Sequence, residues 1–341
     1  MQQQQQMEQK SIACGNRLPC LSANYPWLVA QNQDGTGDQT FYTLHDHLCH
    51  YKCRIPKLLG NHIRGYFHGW VILSNNKMWS VWNPLTSKII NLPPLITLNN
   101  SESVGQCCLS SPLDDPVPVL LLTITETPTF LFCRLGVKSD RLSWRRMPYN
   151  RQLKKIIGHY NGFLQCPTFY NGKVYAMCND GDHVIQVDII VNGGELLIKL
   201  LLYGRRPTYA SRTCFPISIP LLKGTCSELF YIVVAFNEVT KKTLGDVYLF
   251  KWVTSRMRWE KMVDIKDAVF FVDLARGNSV YYRRAISSEL GGYIHIHDEM
   301  GKMYSYNVED KTIALSFMAY PTSHVSLWEC RYCFCFKVFY C

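Results

Sequence analysis

The densest group of potential metal ligands in the sequence is the stretch HDHLCHYKC, at residues 45–53. Its candidate ligands are His45, His47, Cys49, His50 and Cys53. Imidazole nitrogens and thiolates at such short spacing can bind zinc. However, the stretch has no Cys-x-x-Cys pair, and no second half-site follows at a typical interval. We therefore predict a polar hairpin end between two strands here, and neither a metal ion nor another cofactor.

Two further histidines, His295 and His297, alternate with Ile294 and Ile296. Side chains alternate between the two faces of a strand, so both histidines are expected on one face. Together with the neighbouring Tyr293 they suggest the Tyr/His copper chemistry of kelch-type oxidases, which would need several further ligands at an axis. A packed or exposed pair of strand residues is the simpler interpretation. The metalloenzyme stays as an alternative.

Basic residues are concentrated between residues 138 and 155, within a chain of formal net charge +10. They are Lys138, Arg141, Arg145, Arg146, Arg151, Lys154 and Lys155, opposed by Asp140 alone. Such a segment can attract phosphate or an acidic peptide. Only Trp144 and Tyr149 are interspersed as aromatic residues, so nucleic-acid binding is weakly supported. A solvated loop is the first interpretation, and contact with an acidic partner is the second.

Sequence motifs of common enzymes are missing. There is no G-x-x-x-x-G-K-[ST] phosphate loop, no strand-linked G-x-G-x-x-G, and no G-x-S-x-G nucleophile turn. The scattered Ser, His and Asp residues are not placed into a triad by the sequence. We therefore predict that the chain is not an enzyme, and assign no catalytic, cofactor-binding or metal-binding residues.

The composition is that of a globular protein, with 341 residues, 47% hydrophobic and 18% charged. The fifteen cysteines are odd in number, and the polar opening Met1–Gln6 lacks the apolar segment of a secretory signal. We expect a cytoplasmic or nuclear protein whose cysteines act as small buried hydrophobic residues. The longest apolar runs, Val117–Ile124 and Leu196–Tyr203, are far shorter than the ~20 residues of a membrane-spanning helix. No membrane contact is expected.

A bulky apolar stretch at residues 64–95 predicts three short strands, at His68–Ser74, Met78–Trp82 and Lys88–Leu92. The turn at Asn75–Lys77 and the Pro84 stop separate them. Such a meander cannot bury both of its faces alone. It therefore needs further copies of itself to pack against.

A repeat indicates such copies. Residues 140–147, DRLSWRRM, and residues 255–262, SRMRWEKM, each follow a predicted strand and share the spacing of Trp, a basic residue and Met. Trp144 and Trp259 lie 115 positions apart, which is about two blades of a propeller with ~45–50 residues per blade. We predict an all-β fold, a β-propeller of short, kelch-like, four-stranded blades whose number the pattern does not fix. A β-sandwich is the alternative, but this chain is oversized for one.

The predicted organisation has three parts. Residues 1–20 form a disordered Gln-rich leader, residues 21–329 form the propeller, and residues 330–341 form a tail rich in cysteine and aromatic residues that is a candidate last strand. Six tryptophans are expected to pack between or within blades. They are Trp70, Trp79, Trp82, Trp144, Trp252 and Trp259.

Several motifs resemble the plant F-box-associated β-propeller family, over roughly residues 23–328. They are Tyr25–Val29, Phe41–Leu44, His68–Leu73, Asn83–Leu95, Tyr170–Ala176 and Gly291–Ile296. The resemblance implies a propeller that recognises a target behind an F-box module that docks a ubiquitin-ligase adaptor. The residues before the propeller carry no F-box pattern, so an F-box-less relative is expected.

The function that follows is a non-enzymatic protein-interaction domain whose target protein the sequence does not name. One alternative is the substrate-recognition component of a ubiquitin-ligase complex, in which an adaptor would be a further partner. The other alternative is the kelch-like metal-dependent oxidase.

Overall fold

The computed structural model describes residues 27–31, 39–43, 50–53, 55–96, 98, 102–136, 142–158, 162–192, 195–208, 215–237, 243–274, 278–284, 291–300, 302–317 and 333–336. These residues form β-strands, one α-helix and two short 3-10 helices. The predicted all-β propeller of four-stranded antiparallel blades is therefore confirmed.

One sheet, here called the closing sheet, joins strands from the two ends of the chain. It contains β1 (Trp27–Gln31), β2 (Gln39–Thr43), β3 (His50–Cys53) and β25 (Cys333–Phe336). Strand β25 pairs antiparallel with β1 and lies at the edge of the sheet.

Four successive blades follow in chain order, and each strand pairs antiparallel with the next. Blade I contains β4 (His62–Phe67), β5 (Trp70–Asn75), β6 (Met78–Trp82) and β7 (Ile89–Asn91). Blade II contains β8 (Val104–Leu109), β9 (Val119–Ile124), β10 (Thr127–Arg134) and β11 (Trp144–Pro148). Blade III contains β12 (Leu164–Tyr170), β13 (Lys173–Cys178), β14 (His183–Asn192) and β15 (Glu195–Arg205). Blade IV contains β16 (Ile217–Gly224), β17 (Leu229–Phe236), β18 (Leu244–Val253) and β19 (Arg258–Lys261).

Blade V departs from this order. It contains β20 (Ala268–Asp273), β21 (Ser279–Arg284), β22 (Tyr293–His297), β23 (Lys302–Asn307) and β24 (Ile313–Phe317). Its strands are arranged β21-β20-β22-β23-β24, and β20 pairs with β22 in parallel. The β20–β21 hairpin therefore places its second strand, β21, at the inner edge of the blade.

The innermost strands β4, β8, β12, β16 and β21 contact one another in this sequence around the axis. Burial follows the position of each strand. All eight residues of β17, a central strand, are buried, because both of its faces pack against neighbouring blades. In the outer strand β15, buried and exposed residues alternate along the first six positions, because one face reaches water.

The tryptophan repeat corresponds to equivalent contacts in blades II and IV. The indole nitrogen Nε1 of Trp144 donates a hydrogen bond to Pro93 O at 2.8 Å, and that of Trp259 donates to Arg205 O at 2.8 Å. Each tryptophan thus attaches an outer strand to the chain of the preceding blade. Trp144 also meets Trp79 edge-on at 6.2 Å between ring centroids.

Helix α1 (Asn150–Ile157) connects blades II and III and packs against the outer strand β15. The amide of Gln152 donates from Nε2 to Ile198 O at 3.2 Å and accepts at Oε1 from Leu200 N at 3.0 Å. One side chain thereby occupies two backbone groups on the outer edge of β15. No helix within the described part of the chain is long and apolar enough to span a membrane.

The structure corrects two strand boundaries. The predicted strand at His68–Ser74 begins only at Trp70, because His68 and Gly69 form a two-residue turn with φ values of 50° and 84°. Two successive positive φ values are typical of hairpin turns that match the twist of the flanking strands. The predicted strand at Lys88–Leu92 is shorter, at Ile89–Asn91.

Candidate functional site

Three of the innermost strands carry a β-bulge. The register shifts between Ile63 and Gly65 in β4, between Val104 and Cys107 in β8, and between Gln165 and Thr168 in β12. The innermost strands β16 and β21 pair with their neighbours in regular register. A bulge re-aims the side chains and amides around it. Blades I to III therefore present irregular backbone to the axis.

At the bulge of β8, Gln106 connects three blades, and we call this set of contacts the Gln106 bridge. The carbonyl oxygen Oε1 of Gln106 accepts from the backbone N–H of Cys166 on β12. Its amide Nε2 donates to the carbonyl oxygen of Asn278, just before β21, at 3.1 Å. Cys166 and Asn278 both have positive φ values, of 52° and 57°. The bridge therefore binds blades II, III and V together across the axis.

Farther along the same innermost strands, β12 and β16 approach each other very closely. A Cβ atom added to Gly224 would lie 2.1 Å from the carbonyl oxygen of Phe169. Gly224 N also donates to Thr168 Oγ1 at 2.7 Å. Only glycine fits this contact, and Lys223 precedes it on β16.

The turn between β4 and β5 brings His68 to the same place. The His68 ring meets the Phe169 ring edge-on, with 4.6 Å between centroids. Its ring nitrogen Nε2 is buried and has no hydrogen-bond partner among the described residues. Buried polar atoms are normally paired, but His297 Nε2 in blade V is in the same state.

Burial lowers the pKa of Lys223 to about 8, and the neighbouring Cys108 acts in the opposite direction. No ion pair of Lys223 occurs within the described residues. Burial also raises the pKa of the Cys108 thiol, so this sulfur stays protonated and offers no negative charge at neutral pH. We call His68, Cys108, Phe169 and Lys223 the Lys223 cluster.

Electrostatics around the cluster keep the imidazole neutral. Burial is the largest cause that lowers the pKa of His68, and the charge of Lys223 acts in the same direction. The exposed carboxylates of Asp115 and Asp114, in the loop between β8 and β9, oppose this shift. The Lys223 cluster thus combines a cationic amine and a neutral imidazole with two nearby surface carboxylates.

These groups lie on one face of the propeller, where the innermost strand of each of blades I to IV turns into the second strand of its blade. We call it the inner-turn face. It carries the His68–Gly69 turn of blade I, the loop with Asp114 and Asp115 in blade II, and the Asn171–Gly172 turn of blade III. The backbone N–H of Asn171 donates to Cys226 O at 3.2 Å, which connects the turns of blades III and IV. This bond fixes the turns of blades III and IV relative to each other.

The sequence-predicted site residues do not converge here. His45, His47 and Cys49 lie outside the described residues, and His50 and Cys53 lie in β3, whose side chains are not part of the description. In the described part of the chain, no group of three or more His, Cys, Asp or Glu side chains is arranged to hold a metal ion.

The strand histidines make separate, structural contacts. His295 Nδ1 lies 2.9 Å from Ser305 Oγ, and its ring stacks on Phe271 at 5.1 Å between centroids. His297 is 8% exposed, and its Nδ1 lies 3.2 Å from Asp273 Oδ1. These contacts belong to the packing of blade V.

The basic segment is exposed where the structure describes it. Arg145, Arg146, Arg151, Lys154 and Lys155 are all exposed on β11 and helix α1, and Arg146 forms an ion pair with Glu102. Lys154 and Lys155 lie in the last turn of the helix, where a positive charge is favourable. Lys138 and Arg141 lie outside the described residues.

Sequence reasoning missed His68, Gln106, Gly224 and Lys223 as site residues. Lys223 carried a weak signal, because it is the single charge in the apolar run that forms β16. The contacts of Gln106 have no signal in the sequence, since Asn278 lies 172 positions farther along the chain.

Comparisons with known proteins place the chain in a family. A profile of the KIB1-4 beta-propeller matches residues 41–307. No curated protein matches the chain. Among solved structures, a streptogramin B lyase is similar at 12% identity and a TM-score of 0.33, over 84% of this chain and 78% of the other. A luciferin-regenerating enzyme is similar at 11% identity and a TM-score of 0.34, over 84% of this chain and 86% of the other.

Structural similarity at these identities and TM-scores indicates nothing about the activity of this chain. The earlier resemblance is confirmed as far as a β-propeller family, while its F-box association stays a prediction. The family profile spans more than half of the sequence, and the protein belongs to the KIB1-4 beta-propeller family.

Proposed function

We propose that this chain is a non-enzymatic protein-interaction domain that contacts its partner with the inner-turn face. The observation that carries the proposal is the Lys223 cluster beneath the inner-turn face, where a partly buried lysine has no counter-ion within the described residues. Isolated polar groups of this kind are costly in a folded chain. A partner that pairs them would recover that cost on binding.

The architecture supports this use of the face. Packed blades hold the inner-turn loops in place, as the link between Asn171 and Cys226 shows for two of them. A rigid surface loses little conformational freedom when it binds, which favours affinity. The same contacts suit recognition better than chemistry, because the thiol of Cys108 is buried and protonated and has no base assigned to it.

A second proposal is that the chain is the substrate-recognition component of a ubiquitin-ligase complex. It is favoured by the likeness of His68–Leu73 and Asn83–Leu95 to F-box-associated propellers. In that case the inner-turn face would hold the target, and another surface would contact the adaptor. Both proposals place the protein in the cytoplasm, the nucleus or both.

Affinity purification of the tagged full-length chain from cells that express it, followed by quantitative mass spectrometry, tests these proposals. The test variant carries Asp114→Arg and Asp115→Arg on the inner-turn face. The matched control carries Arg145→Glu and Arg151→Glu on the outer rim. All four residues are exposed, so melting temperatures close to that of the unchanged chain are expected.

We expect the inner-turn variant to lose a reproducible partner that the rim variant retains. Loss of the partner with the rim variant alone would overturn the assignment to this face and favour the basic rim. Recovery of a ubiquitin-ligase adaptor and a cullin with the unchanged chain would support the receptor proposal.

A further inference from the structure

We propose that the turn between β5 and β6 of blade I is a second protein-docking surface, which receives an amphipathic helix with acidic residues along its margin. This turn and the His68–Gly69 turn lie at opposite ends of β5, so the surface is separate from the inner-turn face. Exposed apolar side chains surround the β5–β6 turn, and they belong to Leu59, Met78 and Ile96. We call them the blade I apolar patch.

The first side of the patch is set by the hairpin itself. Met78 is the cross-strand partner of Asn75, so the two side chains are neighbours on one face of the hairpin. The chain before β4 meets the same place, because a Cβ atom added to Gly60 would lie 3.6 Å from Nδ2 of Asn75. Leu59, which precedes Gly60, is therefore held beside the turn.

The second side is set by the chain that leaves blade I. The backbone N–H of Leu95 donates a hydrogen bond to Lys77 O at 2.7 Å. This bond places the next residue, Ile96, beside the turn that contains Lys77 and leads into Met78. Three separate stretches of the chain thus bring their apolar side chains to one turn.

The patch is exposed and yet firmly attached to the core. Ile96 is 74% exposed, Met78 51% and Leu59 38%. Each has a buried neighbour in the chain, and these neighbours are Leu58, Trp79 and Leu95. Adjacent exposed apolar side chains favour a contact with another molecule. Because buried anchors hold them in place, little conformational freedom is lost when a partner covers them.

The charge around the patch indicates the chemistry of the partner. Lys57 and Lys77 are exposed beside it, and neither forms an ion pair within the described ranges. A partner that carries glutamate or aspartate next to its apolar residues is complementary to this arrangement.

The neighbouring blades favour a protein over an anionic membrane. The turns equivalent to β5–β6 in blades II and III carry exposed acidic residues, Glu126 and Asp180. These carboxylates would repel an extended anionic lipid surface, whereas a narrow protein segment can contact blade I alone.

The backbone at the patch favours a helix over an added strand. β6 pairs with β5 on one side and with β7 on the other, and Leu92 N and Leu95 N continue the second set of bonds to Trp79 O and Lys77 O. A partner therefore meets side chains instead of an open strand edge. An amphipathic helix supplies apolar side chains at i, i+3, i+4 and i+7 for such a surface.

Methyl NMR of the full-length chain with labelled methionine methyl groups tests the surface. Met78 is the reporter, assigned with Met78→Leu, and exposed Met257 is the internal reference. The probe is a helical peptide with leucines at i, i+3, i+4 and i+7 and glutamates on both sides of the leucine face. One matched peptide has lysines in place of the glutamates, and another has the same residues in scrambled order. We expect the glutamate peptide to shift the Met78 signal saturably, to leave Met257 unchanged, and to bind at least several-fold more tightly than either matched peptide.

The other outcomes overturn the proposal in distinct ways. Equal binding of the lysine peptide would show that an acidic margin is not recognised, and equal binding of the scrambled peptide would show that a helical apolar face is not. A Met78 shift that depends on protein concentration without peptide would assign the patch to a second copy of the chain. A shift with anionic lipid vesicles alone would assign it to a membrane, and no shift with any probe would remove the surface.

A charge exchange supplies the matched variants. Lys57→Glu with Lys77→Glu is expected to lose the glutamate peptide and to bind the lysine peptide instead. The control, Leu85→Glu with Val263→Glu, adds two carboxylates at exposed apolar positions elsewhere and should bind the glutamate peptide like the unchanged chain. All four residues are exposed, so the melting temperatures should stay close together. An equal loss of binding in the control would reduce the effect to net charge and overturn the site.

Discussion

The two ends of the innermost strands use polar groups in opposite ways. At the Gln106 bridge, one side-chain amide serves the backbone of Cys166 and of Asn278 in two other blades. At the Lys223 cluster, an amine and an imidazole nitrogen remain without partners in the described residues. Paired polar groups hold the blades in position, whereas unpaired buried groups cost stability.

The backbone shows the same contrast. The Gln106 bridge depends on bulges in β8 and β12, where an extra residue re-aims the Gln106 side chain and the Cys166 N–H. The Lys223 cluster depends on a regular strand, β16, that approaches β12 at a glycine. The bulges thus allow the contacts that join blades at the Gln106 bridge. At the other end, the close approach of β12 and β16 leaves Lys223 in a desolvated position.

The largest expected effect comes from Gly224→Ala. The new Cβ would collide with the carbonyl oxygen of Phe169, which belongs to the backbone and cannot rotate away. We expect a loss of unfolding free energy of about 3 kcal/mol or more, measured by denaturant unfolding. Gly158→Ala is the matched control, because that site has open space and only a positive φ. It should lose about 1 kcal/mol. Equal losses would show that β12 and β16 can move apart.

Gln106→Leu removes the bridge at nearly constant volume. It leaves the N–H of Cys166 and the carbonyl of Asn278 without their side-chain partner. We expect a loss of about 2–3 kcal/mol of unfolding free energy, because buried polar groups that lose their partners carry a full desolvation cost. An unchanged denaturation midpoint would show that the blades cohere without the bridge.

Lys223→Met is expected to act in the opposite direction. Replacing an unpaired, desolvated amine with an apolar side chain of similar length should raise the unfolding free energy by about 1–3 kcal/mol. The melting temperature should rise while partner capture is lost. A destabilised variant would show that Lys223 has a stabilising partner, and would remove the contrast between the two ends.

The gain from Lys223→Met should shrink as the pH rises from 8 to 10. Lys223 has a pKa of about 8 in the folded chain and an ordinary value of 10.5 when unfolded. In this range the unfolded chain binds a proton that the folded chain does not bind. The unchanged protein therefore gains stability with increasing pH, whereas the variant lacks this contribution. Melting curves of both proteins across this range measure the difference, and parallel curves would contradict the assigned shift.

The smallest expected effect comes from His68→Asn. Asparagine tolerates the positive φ of the turn, so the hairpin should persist. The variant loses the edge contact with Phe169, with an expected cost of about 0.5–1.5 kcal/mol. Chemical denaturation measures it. A larger loss would mean that His68 belongs to the cohesive end of the comparison rather than to the binding end.

Local signals in the sequence predicted much of the fold. The Asn171–Gly172 turn has the positive φ values expected of it, 45° and 76°. The repeated Trp144 and Trp259 make equivalent contacts two blades apart. The turn was predictable because its two residues are adjacent and have known φ preferences. The tryptophan contacts were predictable because the same short motif occurs twice in the sequence.

The rest depends on contacts between distant residues. The sequence predicted His68 as the start of a strand, because an apolar run follows it and a positive φ is uncommon for any residue other than glycine. It treated Arg146 as part of a solvated basic segment, but Glu102 pairs with it across blade II. The parallel pairing of β20 with β22 has no local signature either.

The amide of Gln152 has a consequence for the behaviour of the chain in concentrated solution. The outer edge of β15 runs beside exposed Leu197 and Leu202, so it combines free backbone groups with apolar side chains. Such an edge is a template for strands of other molecules and a starting point for aggregation. By occupying Ile198 O and Leu200 N, Gln152 blocks the middle of that template. Helix α1 thus limits the addition of further strands at this edge.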